Sequence, residues 1–150
     1  MNIIKIGITG SRKGLSEKQK AAFIKSLAEY SNVEIHHGDC LGVDDGIHTL
    51  LFEEKWENPK EIQIFIHPPN DSKQRSFSAK KYEGKDILIH SYATMDYLAR
   101  NQKIVESCDE LWAFPEGPEK VRSGTWATIR FAKKIKKPLR IFLKEGGVEK

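Results

Sequence analysis

The chain has 150 residues, 39% of them hydrophobic and 31% charged, and a formal net charge of +4. That is enough chain to bury one core without disulfide or metal staples, and a single domain over residues 1–150 is expected. No apolar run approaches membrane-spanning length, and no internal repeat or low-complexity segment stands out. Met1-Asn2-Ile3 leads straight into the first apolar run, so no signal peptide is expected. Cys40 and Cys108 have no metal-site or disulfide spacing, which fits a reducing cytosol and a cytoplasmic location.

Ile3, Ile4, Ile6 and Ile8 form a β-branched run that reads as a first strand, followed by the turn Gly7-Ile8-Thr9-Gly10-Ser11-Arg12. Ser16-Glu17-Lys18-Gln19 then has the form of a capping box, opening a helix to about Tyr30 that buries Phe23, Ile24, Leu27 and Ala28. The turn is neither G-x-G-x-x-G nor a Walker loop, so the standard dinucleotide and ATP-hydrolysis readings fail, while a phosphate or ribose fits it.

Val33 and Ile35 mark a second strand, which turns through His37-Gly38-Asp39-Cys40-Leu41-Gly42-Val43-Asp44 into a helix carrying Ile47, Leu50 and Leu51. Gly38 and Gly42 permit close backbone approach or positive φ, and Asp44 near the helix start either caps N–H groups or holds a ribose hydroxyl. His48 lies one helical turn beyond Asp44, while His36 and His37, adjacent on a strand, point to opposite faces. No Cys or His cluster completes a metal site, so no metal is expected.

Ile62, Ile64 and Ile66 predict a third strand ended by Pro68-Pro69-Asn70-Asp71. A long polar stretch from Pro68 to Met95 follows, with Lys73, Arg75, Lys80, Lys81 and Lys85; loops of that length are usually lids or partly disordered. Asp86 to His90 reads as a short strand, and Asp96 to Ser107 as a helix with Leu98, Ile104 and Val105 inward and Arg100 and Asn101 in its first turns.

Leu111, Trp112, Ala113 and Phe114 suit a central strand stopped by Pro115 and Gly117, with Trp112 packed in the core. Ser123-Gly124-Thr125-Trp126 then opens a helix, where Ser123 serves as a cap or the free N–H groups and dipole hold an anion. After the Pro138 break, Leu139, Ile141 and Leu143 give a last strand. The basic run Lys133, Lys134, Lys136 and Lys137 could meet nucleic acid but reads first as a solvated helix end. Alternating strands and helices point to an α/β class, a mainly parallel sheet of about five strands with helices on both faces. Ligands of such sheets sit beyond the strand carboxyl ends, where the turns at Gly10, Gly38, Pro68 and Pro115 fall.

Taken together, Gly7-x-x-Gly10-Ser11-Arg12, His37-Gly38-x-x-x-Gly42-x-Asp44, Arg100-Asn101, Ala113-Phe114-Pro115 and Ser123-Gly124-Thr125-Trp126 resemble the SLOG superfamily. That superfamily holds the Rossmann-like domains of the LOG enzymes, of the DNA-processing protein DprA and of bacterial nucleotide-sensing modules; small stand-alone members are the nearest in pattern. The resemblance implies a three-layer Rossmann-like fold and a nucleotide-derived ligand, such as an ADP-ribose or NAD-related species, without a cofactor. Its ligand set would be Gly10, Ser11, Arg12, Gly38, Asp39, Gly42, Asp44, Arg100, Asn101, Pro115, Glu116, Ser123, Gly124, Thr125 and Trp126. Ser11, Arg12 and the N–H groups around Gly124 would hold phosphate, Asp39 or Asp44 ribose, and Trp126 a base. A homo-oligomer is compatible with this reading.

The departures separate the alternatives. LOG enzymes cleave the base from a nucleoside monophosphate with a glutamate that acts beside an arginine. Arg100 matches that arginine, but Thr128 stands at the glutamate position and Glu116 replaces a glycine. Threonine cannot activate water or stabilise an oxocarbenium-like centre, which weakens the hydrolase alternative and leaves Arg100 catalytic only within it. A DprA-like single-strand binder is the second alternative. Gly38-x-x-x-Gly42-x-Asp44-x-x-x-His48 and Ser123-Gly124 match that relative.

Overall fold

The computed structural model describes residues 3–82 and 86–150. Met1 and Asn2, read as the entry to the first strand, and Lys85 of the polar stretch lie outside the described residues.

In chain order the elements are β1 (Ile4–Gly10), α1 (Glu17–Leu27), β2 (Asn32–His37), α2 (Val43–Glu53), β3 (Glu61–Ile66), β4 (Leu88–Ser91), α3 (Tyr97–Ser107), β5 (Glu110–Phe114), α4 (Gly124–Lys134), β6 (Leu139–Phe142) and β7 (Val148–Glu149). One sheet of seven strands runs β4-β3-β2-β1-β5-β6-β7, all parallel except the antiparallel β6–β7 pair. Seven strands exceed the expected five or so: the short stretch at Asp86 to His90 does form a strand, and β7, a two-residue edge strand with no apolar pattern of its own, was not expected at all.

Strand alternation builds the layers. On β5, Trp112 and Phe114 face the same side as Ile6 and Ile8, where Phe23 and Leu27 of α1 and Val43, Ile47 and Leu51 of α2 close the main core. Leu111 and Ala113 face the other side, against Val105 of α3 and Ala132 and Ile129 of α4. Trp112 is fully buried, its ring 5.9 Å edge-on from Phe23 and 5.2 Å from Phe142. The result is the expected three-layer α/β arrangement, a Rossmann-like fold.

Several boundaries differ from the reading. Ile3 stands outside β1 and is exposed. The capping box is present, but α1 stops at Leu27 instead of about Tyr30, leaving Ala28 exposed as its C-cap. The chain there tightens into three-residue bonds, Glu29 N–H to Ser26 O and Tyr30 N–H to Leu27 O, which turn the Tyr30 ring onto Trp112. The fourth strand starts at Leu88, not Asp86. Leu98, expected inward, is 60% exposed, because the first turn of α3 overhangs a hollow of about 110 Å³ beside Ala127 and Phe131.

Strand order reverses between β1 and β5: β2, β3 and β4 extend one way from β1, and β5, β6 and β7 the other. In open α/β sheets that switch point splays the two outgoing loops and leaves a crevice at the strand carboxyl ends.

Candidate functional site

The loops leaving β1 and β5 form that crevice. Gly10, at the end of β1, lies so near α2 that a Cβ there would stand 2.5 Å from Val43. Ser11 is the pivot: its N–H donates to Phe114 O at 3.3 Å, and its carbonyl accepts from Val43 N at 3.0 Å and from Gly14 N at 3.3 Å. Gly42 holds φ at +97°, and any side chain there would strike the backbone of Ser11 and Arg12. On the other side the buried Gln19, the last residue of the capping box, donates from its amide to Pro115 O at 3.0 Å and Phe142 O at 2.8 Å. A residue placed by helix capping thus also fixes where β5 hands over to its loop.

Between the loops lies a cleft of about 450 Å³. Ser11, Arg12 and Lys13 form one wall; Glu116, Lys120, Arg122 and Ser123-Gly124-Thr125-Trp126 form the other, with Tyr97 at one end. Ser123 caps α4, its hydroxyl accepting from Trp126 N at 3.2 Å. The N–H groups of Gly124 and Thr125 stand at the helix start, where backbone donors have no intrahelical acceptor. Trp126 donates from its indole to Gly117 O at 3.3 Å, which ties the ring to the cleft wall. Four cations meet one carboxylate here. Lys13 and Lys120 share Glu116, at 3.2 and 3.8 Å, leaving Arg12 and Arg122 without an ion pair among the described residues.

The structure does not bring the rest of the expected set to this cleft. Gly38, Asp39, Asp44, Arg100 and Asn101 belong to a buried turn network at the ends of β2 and β3. Asp44 does not cap α2 through its side chain; its Oδ2 accepts from Gly38 N at 3.1 Å and Cys40 N at 3.2 Å. Burial pushes its carboxyl up to about 6, against the pull of the nearby Arg100 guanidinium and of those two N–H groups. Asp39 is buried at φ +55°, and its carboxylate accepts from Arg75 Nε at 3.0 Å, Ser76 Oγ at 3.0 Å and Ser78 N at 2.8 Å. Burial alone would raise Asp39, but the Ser78 and Arg75 bonds outweigh it and hold it below the usual carboxylate range. Within the Pro68 to Met95 stretch, expected to be a lid or a partly disordered loop, Arg75, Ser76 and Ser78 are tied to Asp39.

Arg100 is only 2% exposed. Its Nη1 donates to Gly38 O and to His67 O at 3.1 Å, its Nε to Asn101 Oδ1 at 2.8 Å, and its Nη2 faces Cys40 Sγ at 3.4 Å. Gly38 is the residue that makes room, since a Cβ there would lie 2.3 Å from Arg100 Nη1. Thr128 is also engaged, its hydroxyl donating to Gly124 O at 2.9 Å within α4. Four of the five histidines form two buried pairs on opposite faces of β2: His36 Nδ1 with His67 Nε2 at 2.9 Å, and His37 Nε2 with His48 Nδ1 at 3.1 Å. Among the described residues no group of three or more His, Cys, Asp or Glu is placed to hold a metal ion.

Sequence reasoning missed Tyr97, Lys13, Lys120 and Arg122. The two loop cations precede Ser123 by three residues or fewer, and that crowding of charge before a helix start was the available signal. A larger hollow, about 680 Å³, lies at the opposite ends of the strands, near Trp56 and Leu88. Its charged lining is mostly acidic, Glu54, Glu61 and Asp86 against Lys60, which is the wrong sign for a phosphate.

No protein-family model matches the chain, and no curated protein matches it. Among solved structures it is similar to DNA processing protein A (DprA) from Streptococcus pneumoniae, with a TM-score of 0.52 and 17% identity. The match covers 96% of this chain but 59% of that one, so the chain spans little more than half of its structural neighbour. The fold is DprA-like. No described helix is long and apolar enough to cross a membrane.

Proposed function

We propose that the chain binds a nucleotide-derived, phosphate-bearing ligand in the cleft between the β1 loop and the start of α4. One observation carries this reading: Arg12, Lys13, Lys120 and Arg122 converge with the first N–H groups of α4 on a single cavity at the sheet's switch point. Each feature favours an anion, and together they suit the several oxygens of a phosphate or pyrophosphate. Trp126 supplies a flat ring beside them for a base. The structural neighbour's name, a DNA processing protein, supports the same ligand class, because nucleic acids present the same phosphates.

The reading is one of binding, not base hydrolysis. Arg100 is spent on buried carbonyls, Thr128 on the helix backbone, and Glu116 on two lysines. Thr128 stands where the hydrolase pattern places its glutamate, so the carboxylate that would activate water at an anomeric carbon is missing from that position. Overnight incubation with AMP followed by native mass spectrometry tests this. The expected result is a retained AMP adduct and no free adenine; adenine released without any adduct would replace the binder by an enzyme.

A further inference from the structure

We infer that a second cavity, on the far side of Tyr97 and Arg12 from the cationic cleft, is the diol-binding half of the same site, and that it fixes a nucleoside phosphate in one orientation. The inference rests on the phosphate reading above. This cavity, about 220 Å³, is lined by Asn70, Asp71, Gln74 and Asp96 together with Arg12 and Tyr97, and the last two also line the cleft. Small-molecule pockets run from roughly 300 to 1,000 Å³, so 220 Å³ is too small to stand alone but suits an annex.

The two compartments have opposite character. The cleft carries four cations and α4's free N–H groups. The annex carries two carboxylates and two amides around the one guanidinium the compartments share. Ionised carboxylates accept hydrogen bonds and cannot donate them, so they suit a group rich in O–H donors and repel phosphate. A ribose 2′,3′-diol is such a group, and in a nucleoside phosphate it is joined to the phosphate by one short arm. The anionic end therefore belongs in the cleft and the diol in the annex, across Tyr97.

The residues first expected to hold ribose are committed elsewhere, Asp44 to the Gly38 and Cys40 N–H groups and Asp39 to Arg75, Ser76 and Ser78. Asp96 is different. It is exposed at the N-cap of α3, yet its side chain makes no capping bond. Asp71 does cap, accepting from Lys73 N at 3.0 Å, so it both shapes the annex and lines it.

Calorimetry with AMP, 2′,3′-dideoxy-AMP and inorganic pyrophosphate on the wild-type chain and on Asp96→Ala tests the assignment. Because Asp96 caps nothing, the variant should fold normally. Wild type should bind AMP about tenfold more tightly than dideoxy-AMP. Asp96→Ala should lose that preference while keeping its affinity for pyrophosphate. Equal wild-type affinity for AMP and dideoxy-AMP, or an Asp96→Ala variant that keeps the preference, overturns the annex while leaving the phosphate cleft standing. If neither pyrophosphate nor AMP binds, the cleft reading fails and takes the annex with it.

Discussion

The Tyr97 hydroxyl occupies the space into which any side chain on Gly124 would grow, 2.3 Å from where a Cβ would sit. This contact joins the first turn of α3 to the first turn of α4 and sets the width of the cleft mouth. The clashing atom is the far end of a partly exposed side chain, so the fold can absorb the collision by swinging the ring aside. Gly124→Val is therefore expected to unfold within a few degrees of wild type while phosphate affinity falls at least tenfold. Thermal melting beside a pyrophosphate titration checks both halves, and undiminished binding in a folded variant would place the anion elsewhere.

Gly38 presents the opposite case. A Cβ there meets Arg100 at 2.3 and 2.6 Å, and this guanidinium is buried and bonded to two carbonyls, so it has nowhere to go. Gly38→Ala should cost about 2–3 kcal/mol of stability. Arg100→Ala should cost about 3–5 kcal/mol, because it strips the partners from buried carbonyls and the nearby cation from the Asp44 carboxyl. Urea unfolding reads both. If Arg100→Ala proves as stable as wild type, Arg100 is not the strut described here.

Buried histidines make stability depend on pH. Burial lowers His37 to about 3, His48 to about 4 and His67 to about 3, whereas in the unfolded chain each titrates at about 6.5. As pH falls below 6.5, the unfolded state takes up protons that the folded state refuses, so stability drops steadily toward pH 4. Asp44 works in the opposite sense. Its carboxyl is raised to about 6, so its contribution is full below its unfolded value and is lost as pH rises through 6. Between pH 4 and 6 the three histidines outweigh one carboxyl, and the net slope remains a loss on acidification. His48→Leu should flatten that slope in urea midpoints measured from pH 7 to 4; an unchanged slope would mean that His48 titrates normally.

Much of this was legible in the sequence, and the gaps have physical causes. The capping box at Ser16, the β-branched runs and the strand-to-helix turns at Gly10, Gly38 and Gly124 are local signals, and they give the alternation of strands and helices; the turns at Gly10 and Gly124 line the cleft, while Gly38 lies in the buried network. The long-range partners of Gln19 (Pro115 and Phe142), Asp39 (Arg75, Ser76 and Ser78) and Arg100 (Gly38 and His67) lie 33 or more residues away in the chain, and no local pattern encodes them. That is why Asp39 and Arg100 read as ligand contacts although their polar groups face inward; Asp44, bonded to the Gly38 and Cys40 N–H groups six and four residues before it, is open from the same turn to either a capping or a ligand role. In the basic run Lys133, Lys134 and Lys136 are exposed, while Lys137 donates to Cys108 O at 2.6 Å. Arg140, a few residues further along the chain, is buried in ion pairs with Glu110 at 3.0 Å and Glu29 at 3.2 Å.

The most direct test of the cleft is a titration of the isotope-labelled chain with pyrophosphate, followed by backbone-amide NMR at two salt concentrations. The account predicts saturable shifts concentrated at Ser11 to Lys13 and Ser123 to Trp126, persisting at the higher salt. Shifts confined to Lys133 through Lys137 and erased by salt, or no shifts at all, would contradict it.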